Sequence, residues 1–227
     1  MGDGCKLLEG QVARIMLVDD HATMRQALAL VLSREPGFEV VAQVGSLSEV
    51  RRLSATDFDV AIVDLGLPDG HGAEAITELR KLNPQGMMLV LSATSDRTEL
   101  ARAVEAGASG LLHKATPLEE IPRAVRRLLA GEALLSTEEI IDLLRLADRE
   151  HRRGSREQSS AEQLTPREKE ILQALAEGMN DREIAERLEI SFDTVRNHMA
   201  SIFVKLDAHS RLQAVLFAVR HGIVEIP

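Results

Sequence analysis

Short apolar runs in the first half of the chain end in polar residues whose types suit phosphoryl chemistry. These residues are Asp19, Asp20, Asp64, Ser92 and Lys114. Crowded carboxylates repel one another, so they must share protons or hold a cation, and their oxygens suit Mg²⁺. A metal and a lysine can bind the oxygens of a phosphoryl group while a carboxylate attacks phosphorus. A single aspartate in such a place is more often a turn former, but four strand ends together favour chemistry.

The elements that must position these residues alternate between strand and helix over residues 14–130. Apolar runs predict strands at 15–18, 38–44, 60–63, 87–91 and 110–113, with residues at helical spacing between them. Five such units predict an α/β fold with a five-stranded, doubly wound parallel sheet. In such a sheet the ligand chemistry gathers at the carboxyl ends of the strands, where the polar residues lie.

Local signals mark where several helices begin or end. Ser46-Leu47-Ser48-Glu49 is a capping box, and Thr116-Pro117-Leu118-Glu119 combines an N-cap with a proline in the first turn. Gly107 stands where a helix needs a left-handed cap residue. A further box at 136–139 predicts a linker helix to about residue 146, and 149–160 reads as a polar, exposed linker.

The rest of the chain is helical in pattern, with helices predicted at 166–177, 181–188, 192–206 and 210–221. A three-residue turn between the second and third helices indicates a helix-turn-helix in a second, smaller all-α domain. An apolar stripe along the third helix leaves Arg196, Asn197 and Ala200 on another face. Arginine can pair with guanine, asparagine with adenine, and alanine can touch a thymine methyl, although a merely solvated face has the same composition.

The last helix has almost no polar face, so it needs more than one buried surface. One side can pack on the helix-turn-helix core. The other side can pair with a second subunit, which favours a homodimer on inverted half-sites. Cover by the N-terminal domain is the alternative.

Composition predicts a cytoplasmic protein of two domains. The chain has 227 residues, 44% of them hydrophobic and 28% charged, and no apolar run is long enough to span a bilayer. Its single cysteine, Cys5, excludes an internal disulfide. Residues 161–227 carry 8 Lys and Arg against 11 Asp and Glu, a net charge of −3 that counts mildly against DNA binding.

Four motifs in order resemble a two-component receiver domain over residues 13–130. They are Val18-Asp19-Asp20-His21, Val63-Asp64-Leu65-Gly66-Leu67-Pro68-Asp69-Gly70, Leu91-Ser92-Ala93 and Gly107-Ala108-Ser109-Gly110-Leu111-Leu112-His113-Lys114. The resemblance implies a flavodoxin-like fold in which Asp64 accepts a phosphoryl group from a sensor histidine kinase. It implies that Asp20, Asp64 and the Gly66 carbonyl bind Mg²⁺ directly, and that Asp19 acts largely through water. Ser92 is then the switch hydroxyl and Lys114 the cation that contacts phosphate.

Two residues depart from the receiver pattern. Leu111 stands where the family often has an aromatic switch residue, and Ala115 stands where an acidic residue or proline commonly follows the lysine. Both departures concern the route of the conformational signal and leave the phosphorylation chemistry intact. His21 and His71 lie near the crevice, and we interpret them as loop residues rather than metal ligands.

The C-terminal part resembles the LuxR-type helix-turn-helix over residues 161–225, with 131–160 as the linker region. The resemblance is carried by Leu164-Thr165-Pro166-Arg167-Glu168-Lys169-Glu170-Ile171-Leu172, Glu183-Ile184-Ala185 and Thr194-Val195-Arg196-Asn197-His198. It implies that Arg196, Asn197 and Ala200 lie near bases. The implied phosphate contacts are Thr165, Thr194 and Lys205. The whole chain resembles the NarL/FixJ class of response regulators.

We therefore predict a phosphorylation-dependent transcriptional regulator that binds a double-stranded DNA operator. The unphosphorylated receiver is expected to cover both the recognition helix and the last helix. A phosphatase with Asp64 as its nucleophile is disfavoured, because haloacid-dehalogenase-type enzymes need a second acid two residues later, where this chain has Gly66. A phosphorylation-independent DNA-binding regulator, whose receiver is only a docking surface, is the alternative.

Overall fold

The computed structural model describes residues 12–54, 57–94, 96–132, 134–135, 139 and 163–224. The predicted linker helix at 136–146, apart from residue 139, and the polar linker at 149–160 lie outside the described residues. Within the described ranges, no helix combines the length and the apolar character that crossing a membrane requires.

A parallel sheet forms the centre of the N-terminal domain, which confirms the predicted α/β fold. The strands are β1 (Ala13–Val18), β2 (Phe38–Val44), β3 (Val60–Val63), β4 (Gly66–Leu67), β5 (Gly70–His71), β6 (Met87–Ser92) and β7 (Gly110–His113). The five-stranded sheet has the order β2-β1-β3-β6-β7, and all of its pairs are parallel. The order reverses at β1, so a crevice opens at the carboxyl ends of β1 and β3.

Helices cover both faces of this sheet. They are α1 (Ala22–Arg34), α2 (Leu47–Arg52), α3 (Gly72–Leu82), α4 (Arg97–Glu105) and α5 (Ile121–Leu129). Successive residues of β1 point to opposite faces, as the period of two requires. Met16 and Val18 join the core beneath α2, α3 and α4, whereas Ile15 and Leu17 join the core beneath α1 and α5. Burial on both faces explains why these strands are almost entirely apolar.

Two local predictions need correction. Thr116 does not cap a helix through its side chain: Pro117 occupies the cap position of a short 3₁₀ turn, Leu118–Glu120, and α5 begins at Ile121. Pro122 lies in the first turn of α5, where its missing N–H costs nothing, so it marks the start that Pro117 was expected to mark. At Ser46 the hydroxyl caps Glu49 as predicted, but the Glu49 carboxylate accepts from Gly45 rather than from Ser46.

The C-terminal domain consists of four helices, α6 (Pro166–Ala176), α7 (Asp181–Arg187), α8 (Phe192–Leu206) and α9 (Arg211–Arg220), as the sequence predicts. Thr165 and Asn180 each form a complete capping box at the start of a helix. Glu189 adopts a left-handed conformation, with φ 53°, in the turn between α7 and α8. That turn lets α7 and α8 pack as a helix-turn-helix.

Candidate functional site

The polar residues predicted to converge do lie together at the carboxyl edge of the sheet. Asp19 follows β1, Asp64 follows β3, Ser92 ends β6 and Lys114 follows β7. Asp19, Asp64 and Ser92 are only 3%, 4% and 4% exposed. Two backbone hydrogen bonds extend the ladder into the site, from Asp64 N to the Val18 carbonyl (2.8 Å) and from Lys114 N to the Ser92 carbonyl (2.8 Å). The sheet itself therefore fixes the spacing of these groups.

Lys114 bridges two of the buried carboxylates. Its Nζ lies 2.5 Å from Asp64 Oδ2 and 2.9 Å from Asp19 Oδ2. Burial alone would lower the pKa of Lys114, but the hydrogen bonds to Asp64 and Asp19 and the charges of both carboxylates raise it above its usual range. Lys114 is therefore a fixed positive charge in this crevice.

Asp20 and His21 complete the acidic cluster. His21 Nδ1 lies 2.5 Å from Asp20 Oδ1 and 3.4 Å from Asp19 Oδ1, and the His21 backbone N–H donates to Asp19 Oδ1 at 2.8 Å. One ligand atom from each of Asp19, Asp20, His21 and Asp64 falls within 4.8 Å of the others. His21 was expected to be a loop residue rather than a metal ligand. Its place in the sequence, directly after Asp19 and Asp20, could have indicated that it lies beside these carboxylates.

The charges of this cluster fit a hard divalent cation. Asp19, Asp20 and Asp64 supply three carboxylates, against the ammonium of Lys114 and the guanidinium of Arg25, which donates to the Asp19 carbonyl, so the carboxylates outnumber these two cations. Oxygen donors within a few ångströms of one another are the set that Mg²⁺ takes while keeping several of its waters. Gly66, the predicted carbonyl ligand, donates its N–H to Asp64 Oδ1 at 3.2 Å, so its peptide unit lies beside the cluster.

A carboxylate that the sequence analysis did not single out holds the loop after Asp64. The strands β4 and β5 form a small antiparallel ribbon. At its turn, Asp69 accepts hydrogen bonds from the backbone of Leu47 (2.7 Å) and Ser48 (2.8 Å) at the start of α2. The hydrogen bond from Ser48 is the main reason that the pKa of Asp69 lies below its usual value. A Pro-Asp-Gly turn beside the motif was the available signal.

Ser92 and Leu111, the two predicted switch positions, lie on neighbouring strands. The Ser92 hydroxyl accepts a hydrogen bond from Thr94 N at 3.1 Å. Leu111 is 6% exposed and belongs to the apolar core. Because its side chain has no hydrogen-bonding group, Leu111 can respond to a change at Ser92 only through packing. His71, the second histidine near the crevice, serves as the N-cap of α3 and accepts from Ala73 N.

The predicted base-reading residues lie on the outer face of α8. Asn197 and Ala200 are exposed and Arg196 is half-buried, whereas Val195, Met199 and Ile202 face the core. The helix starts with Ser191 as its N-cap, whose hydroxyl accepts from Thr194 N at 3.1 Å. Thr194 Oγ1 also lies 2.7 Å from Ser191 Oγ. The N-terminal half of α8 thus presents a polar surface to solvent.

Lys205 and Thr165, predicted phosphate contacts, meet around Glu168. Lys205 Nζ lies 2.8 Å and 2.7 Å from the two carboxylate oxygens of Glu168, which is 2% exposed. Ser201 Oγ donates to the same carboxylate, and Thr165 forms the capping box with Glu168. Burial alone would raise the pKa of Glu168, but the hydrogen bonds from Lys205, Ser201 and Thr165 lower it to about 2. Both residues thus have structural roles, and their DNA contacts stay predictions.

The receiver covers α9 but leaves the outer face of α8 open. Ser210 Oγ, at the N-cap of α9, donates to the Ala108 carbonyl at 2.8 Å. Gln213 Nε2 donates to the Glu105 carbonyl at 3.2 Å, and Arg220 lies 3.4 Å from Glu105 Oε1. The expectation that the receiver covers both helices is therefore met only for α9, because the docking contacts of the receiver come from the end of α4.

Comparison with known proteins agrees with this architecture. Residues 15–126 match the family described as response regulator receiver domain, and residues 162–218 match bacterial regulatory proteins of the luxR family. The chain is 33% identical over 208 residues to the DNA-binding transcriptional activator DevR/DosR of Mycobacterium tuberculosis, covering 91% of this chain and 94% of that protein. It is 31% identical over 213 residues to the response regulator protein VraR of Staphylococcus aureus, covering 93% and 99%.

A solved structure shows the same kinship. The two-component response regulator of the LuxR family from Aurantimonas is 32% identical, has a TM-score of 0.51, and covers 62% of this chain and 99% of that chain. A receiver sheet with an acidic crevice, joined to a LuxR-type helix-turn-helix, defines a response regulator. The chain belongs to the two-component response regulators of the NarL/LuxR family, which are transcriptional regulators.

Proposed function

We propose that Asp64 accepts a phosphoryl group from the phosphohistidine of a sensor kinase. A carboxylate oxygen of Asp64 forms the new bond to phosphorus as the phosphorus–nitrogen bond of the kinase breaks, and the kinase histidine leaves with the electron pair. The observation that carries the proposal is the bond from Lys114 to Asp64, which places a fixed cation at the acceptor carboxylate. Lys114 and the Ser92 hydroxyl are the groups that would bind the transferred phosphoryl oxygens.

Asp19, Asp20, Asp64 and the Gly66 carbonyl are the groups that would hold Mg²⁺, with Asp19 largely through water. When bound, the metal neutralises the negative charge that a phosphoryl group adds to this crevice. The surplus of carboxylates over ammonium groups in the cluster supports this assignment. His21 lies at the rim of the cluster, where its Nδ1 is bonded to Asp20.

The phosphorylation is regulatory rather than a step of enzymatic turnover. A phosphatase with an aspartate nucleophile needs a positioned acid or base to protonate the leaving group and activate water. Two residues after Asp64 the chain has Gly66, which has no titratable side chain. The absence of a titratable side chain at this position supports a phosphoryl group that persists on Asp64 as a signal.

Mass spectrometry tests this part of the proposal. The full-length protein is incubated with acetyl phosphate and Mg²⁺, and we expect one added phosphoryl group. The Asp64→Asn variant should gain none, and a chelator should suppress the reaction of the wild type. Phosphate on the Asp64→Asn variant, or labelling that ignores the chelator, would contradict the assignment of Asp64 and of the metal.

The second half of the proposed function is sequence-specific binding of double-stranded DNA through α8. Arg196, Asn197 and Ala200 would read base edges in the major groove, with Thr165, Thr194 and Lys205 as candidate phosphate contacts. The exposed face of α8 supports this role, because it is accessible in the resting chain. Arg196→Ala should cost about 1–3 kcal/mol at one base position, measured by footprinting on genomic DNA fragments.

Coupling between the two halves would run through α9. We infer that phosphorylation weakens the contacts of Ser210, Gln213 and Arg220 with the receiver and releases α9 to pair with a second subunit on DNA. The buried Ser210–Ala108 hydrogen bond supports this route. A partial shift is expected, because a full reversal of a 1:99 equilibrium needs about 5.5 kcal/mol. The site of action would be the bacterial cytoplasm, where the kinase and the DNA are both available.

DNA binding by the full-length protein at one salt concentration, with and without phosphodonor, tests the coupling. Phosphorylation should raise the affinity and should convert monomers to dimers in sedimentation. Equal affinity and equal mass in both states would favour the alternative, a regulator whose receiver is only a docking surface.

A further inference from the structure

Phe192 is an unusual residue to find on the surface of this protein. The chain has five phenylalanines and no tryptophan or tyrosine. Phe192 is 39% exposed, whereas Phe58 is 1% exposed and the other three are half-buried. An exposed aromatic ring forgoes the stabilisation that burial would give it. Among the five phenylalanines of the chain, Phe192 has the most exposed ring.

The position of Phe192 on α8 favours a contact with DNA. It is the first residue of the helix, directly after the N-cap Ser191. The N-terminal residues of a recognition helix are the ones that contact base edges. Arg196 and Ala200 follow at intervals of one turn, so the three residues share one side of the helix.

The ring also contacts the arginine that we assign to base reading. The guanidinium carbon of Arg196 lies 5.9 Å from the centre of the Phe192 ring, within the range of a cation–π interaction. An arginine must hold its guanidinium group in one plane to donate two hydrogen bonds to guanine. A ring beside the guanidinium group restricts its rotamers before DNA arrives, which lowers the entropy lost on binding.

We propose that Phe192 is a specificity-determining residue of the recognition helix, with two tasks. It holds Arg196 in position for a guanine, and its ring edge contacts the C5-methyl group of a thymine in the neighbouring base pair. Apolar side chains make this contact with thymine in the major groove. The inference rests on the proposed DNA-reading function of α8 and adds a residue and a preferred base step to it.

The experiment compares full-length wild type with Phe192→Ala, Phe192→Leu and Val204→Ala, each treated with acetyl phosphate and Mg²⁺. Each protein selects binders from a randomised double-stranded DNA library, which is then sequenced. Val204 is the matched control, because it is apolar and 83% exposed but lies in the last turns of the same helix. Thermal unfolding confirms that each variant is folded.

The wild type should enrich a motif that contains adjacent guanine and thymine positions. Phe192→Ala should flatten the preference at both. Phe192→Leu should keep the thymine preference, since it still offers an apolar group, and weaken the guanine preference. Loss of the cation–π interaction should reduce affinity roughly two- to fivefold. Val204→Ala should select the wild-type motif.

Replacing the selected thymine by deoxyuracil removes only the methyl group and gives a double-mutant test. The replacement should weaken the wild type and leave Phe192→Ala unchanged. Equal weakening of both proteins, or a wild-type motif selected by Phe192→Ala, would overturn the role of Phe192 while leaving DNA reading by α8 intact. A wild type that enriches no motif would overturn the DNA-reading function and this inference with it.

Discussion

Among the described residues, Lys114 and Lys205 are each paired with buried carboxylates, and the two sites differ in their balance of charge. Lys114 pairs with Asp64 and Asp19, and Asp20 belongs to the same acidic cluster. Lys205 faces a single carboxylate, Glu168. Both lysine side chains are partly covered, 16% and 26% exposed, so exposure does not distinguish them.

The balance of charge and hydrogen bonds distinguishes them. Glu168 receives bonds from Lys205 and from Ser201, and its capping box occupies it further. Its charge is matched by Lys205 and its oxygens already accept hydrogen bonds. A ligand would therefore find no unmatched charge at Glu168. The receiver cluster has more negative charge than Lys114 can neutralise, so a bound cation can stabilise it. A cluster in which carboxylates outnumber cations is the better sign of function.

Removing Lys205 should have a large effect on stability, because its partner Glu168 is buried. Lys205→Met leaves the buried Glu168 carboxylate without its cation, and breaking such a pair costs about 3 kcal/mol in the free energy of unfolding. Urea denaturation of the full-length protein measures this cost. Lys81→Met, which breaks an exposed pair with Glu78, is the control and should cost less than about 1 kcal/mol.

The same experiment with Mg²⁺ distinguishes the two sites. Lys114→Met also removes a cation, but added Mg²⁺ should restore part of the lost stability at the receiver cluster. Mg²⁺ should not restore Lys205→Met. If Mg²⁺ restored the stability of both variants, or of neither, the proposed difference between the receiver cluster and the Lys205–Glu168 pair would be contradicted.

The acid stability of the protein should depend on Glu168. Its pKa in the folded chain is about 2, below the ordinary 4.5, so its charged form stabilises the fold. The contribution is fully present above about pH 4.5 and is lost as the pH falls towards 2, amounting to at most about 3 kcal/mol. The difference in unfolding free energy between wild type and Glu168→Gln should therefore shrink over this interval. A difference that is constant with pH would contradict the assigned ion pair.

Neutralising one carboxylate of the receiver cluster should have a smaller effect, opposite in sign to that of Lys205→Met. Without Mg²⁺, Asp20→Asn relieves repulsion and should be at least as stable as the wild type. At several times its Kd, Mg²⁺ should stabilise the wild type by about 1 kcal/mol and Asp20→Asn by less. Thermal unfolding with Mg²⁺ and with a chelator checks both statements.

The smallest expected effect lies at the contact between the domains. Glu105→Ala removes the ion pair with Arg220, and pairs of this exposure contribute about 0.2–1 kcal/mol. The unphosphorylated protein should bind DNA up to about fivefold more tightly, as measured by fluorescence anisotropy. Glu35→Ala, which breaks an exposed pair with Arg126 within the receiver, should leave the affinity unchanged.

The sequence predicts that the polar residues of the receiver converge, because topology does most of the positioning. Parallel strands end at one edge of the sheet, so the order of Asp19, Asp64, Ser92 and Lys114 along the chain is enough to bring them together. The bounds of β2 and α8 also agree with the predicted ones, because apolar runs and caps are local signals.

Apolar runs and caps do not predict which residues far apart in the sequence pair with each other. The Lys205–Glu168 pair joins residues 37 apart, and the Ser210–Ala108 bond joins residues 102 apart. Lysine, glutamate and serine are all common on solvated helix faces. The sequence around each of them therefore does not show which distant residue it pairs with. The prediction that the receiver covers α8 was wrong, because the outer face of α8 carries polar side chains that solvent can satisfy and that need no cover.

Both ends of α3 form close contacts with neighbouring loops of the receiver. One end contacts the loop after Asp64, and the other contacts the loop that holds α9. At one end Gly72 N donates to the Leu65 carbonyl at 2.9 Å, and a Cβ on Gly72 would lie 2.3 Å from the Asp64 carbonyl oxygen. At the other end Arg80, 7% exposed, donates to the Gly107 carbonyl at 2.7 Å, one residue before Ala108.

With 11 residues, α3 is about 16 Å long. It runs from the loop after Asp64 to the loop at Ala108 that contacts α9. A tilt of roughly 4° about one end moves the other end by about 1 Å. Such a displacement is comparable to the margin between a formed and a broken hydrogen bond. Because α3 contacts the loop after Asp64 at one end and the residue before Ala108 at the other, a small tilt of this helix would reach the hydrogen bond between Ser210 and Ala108.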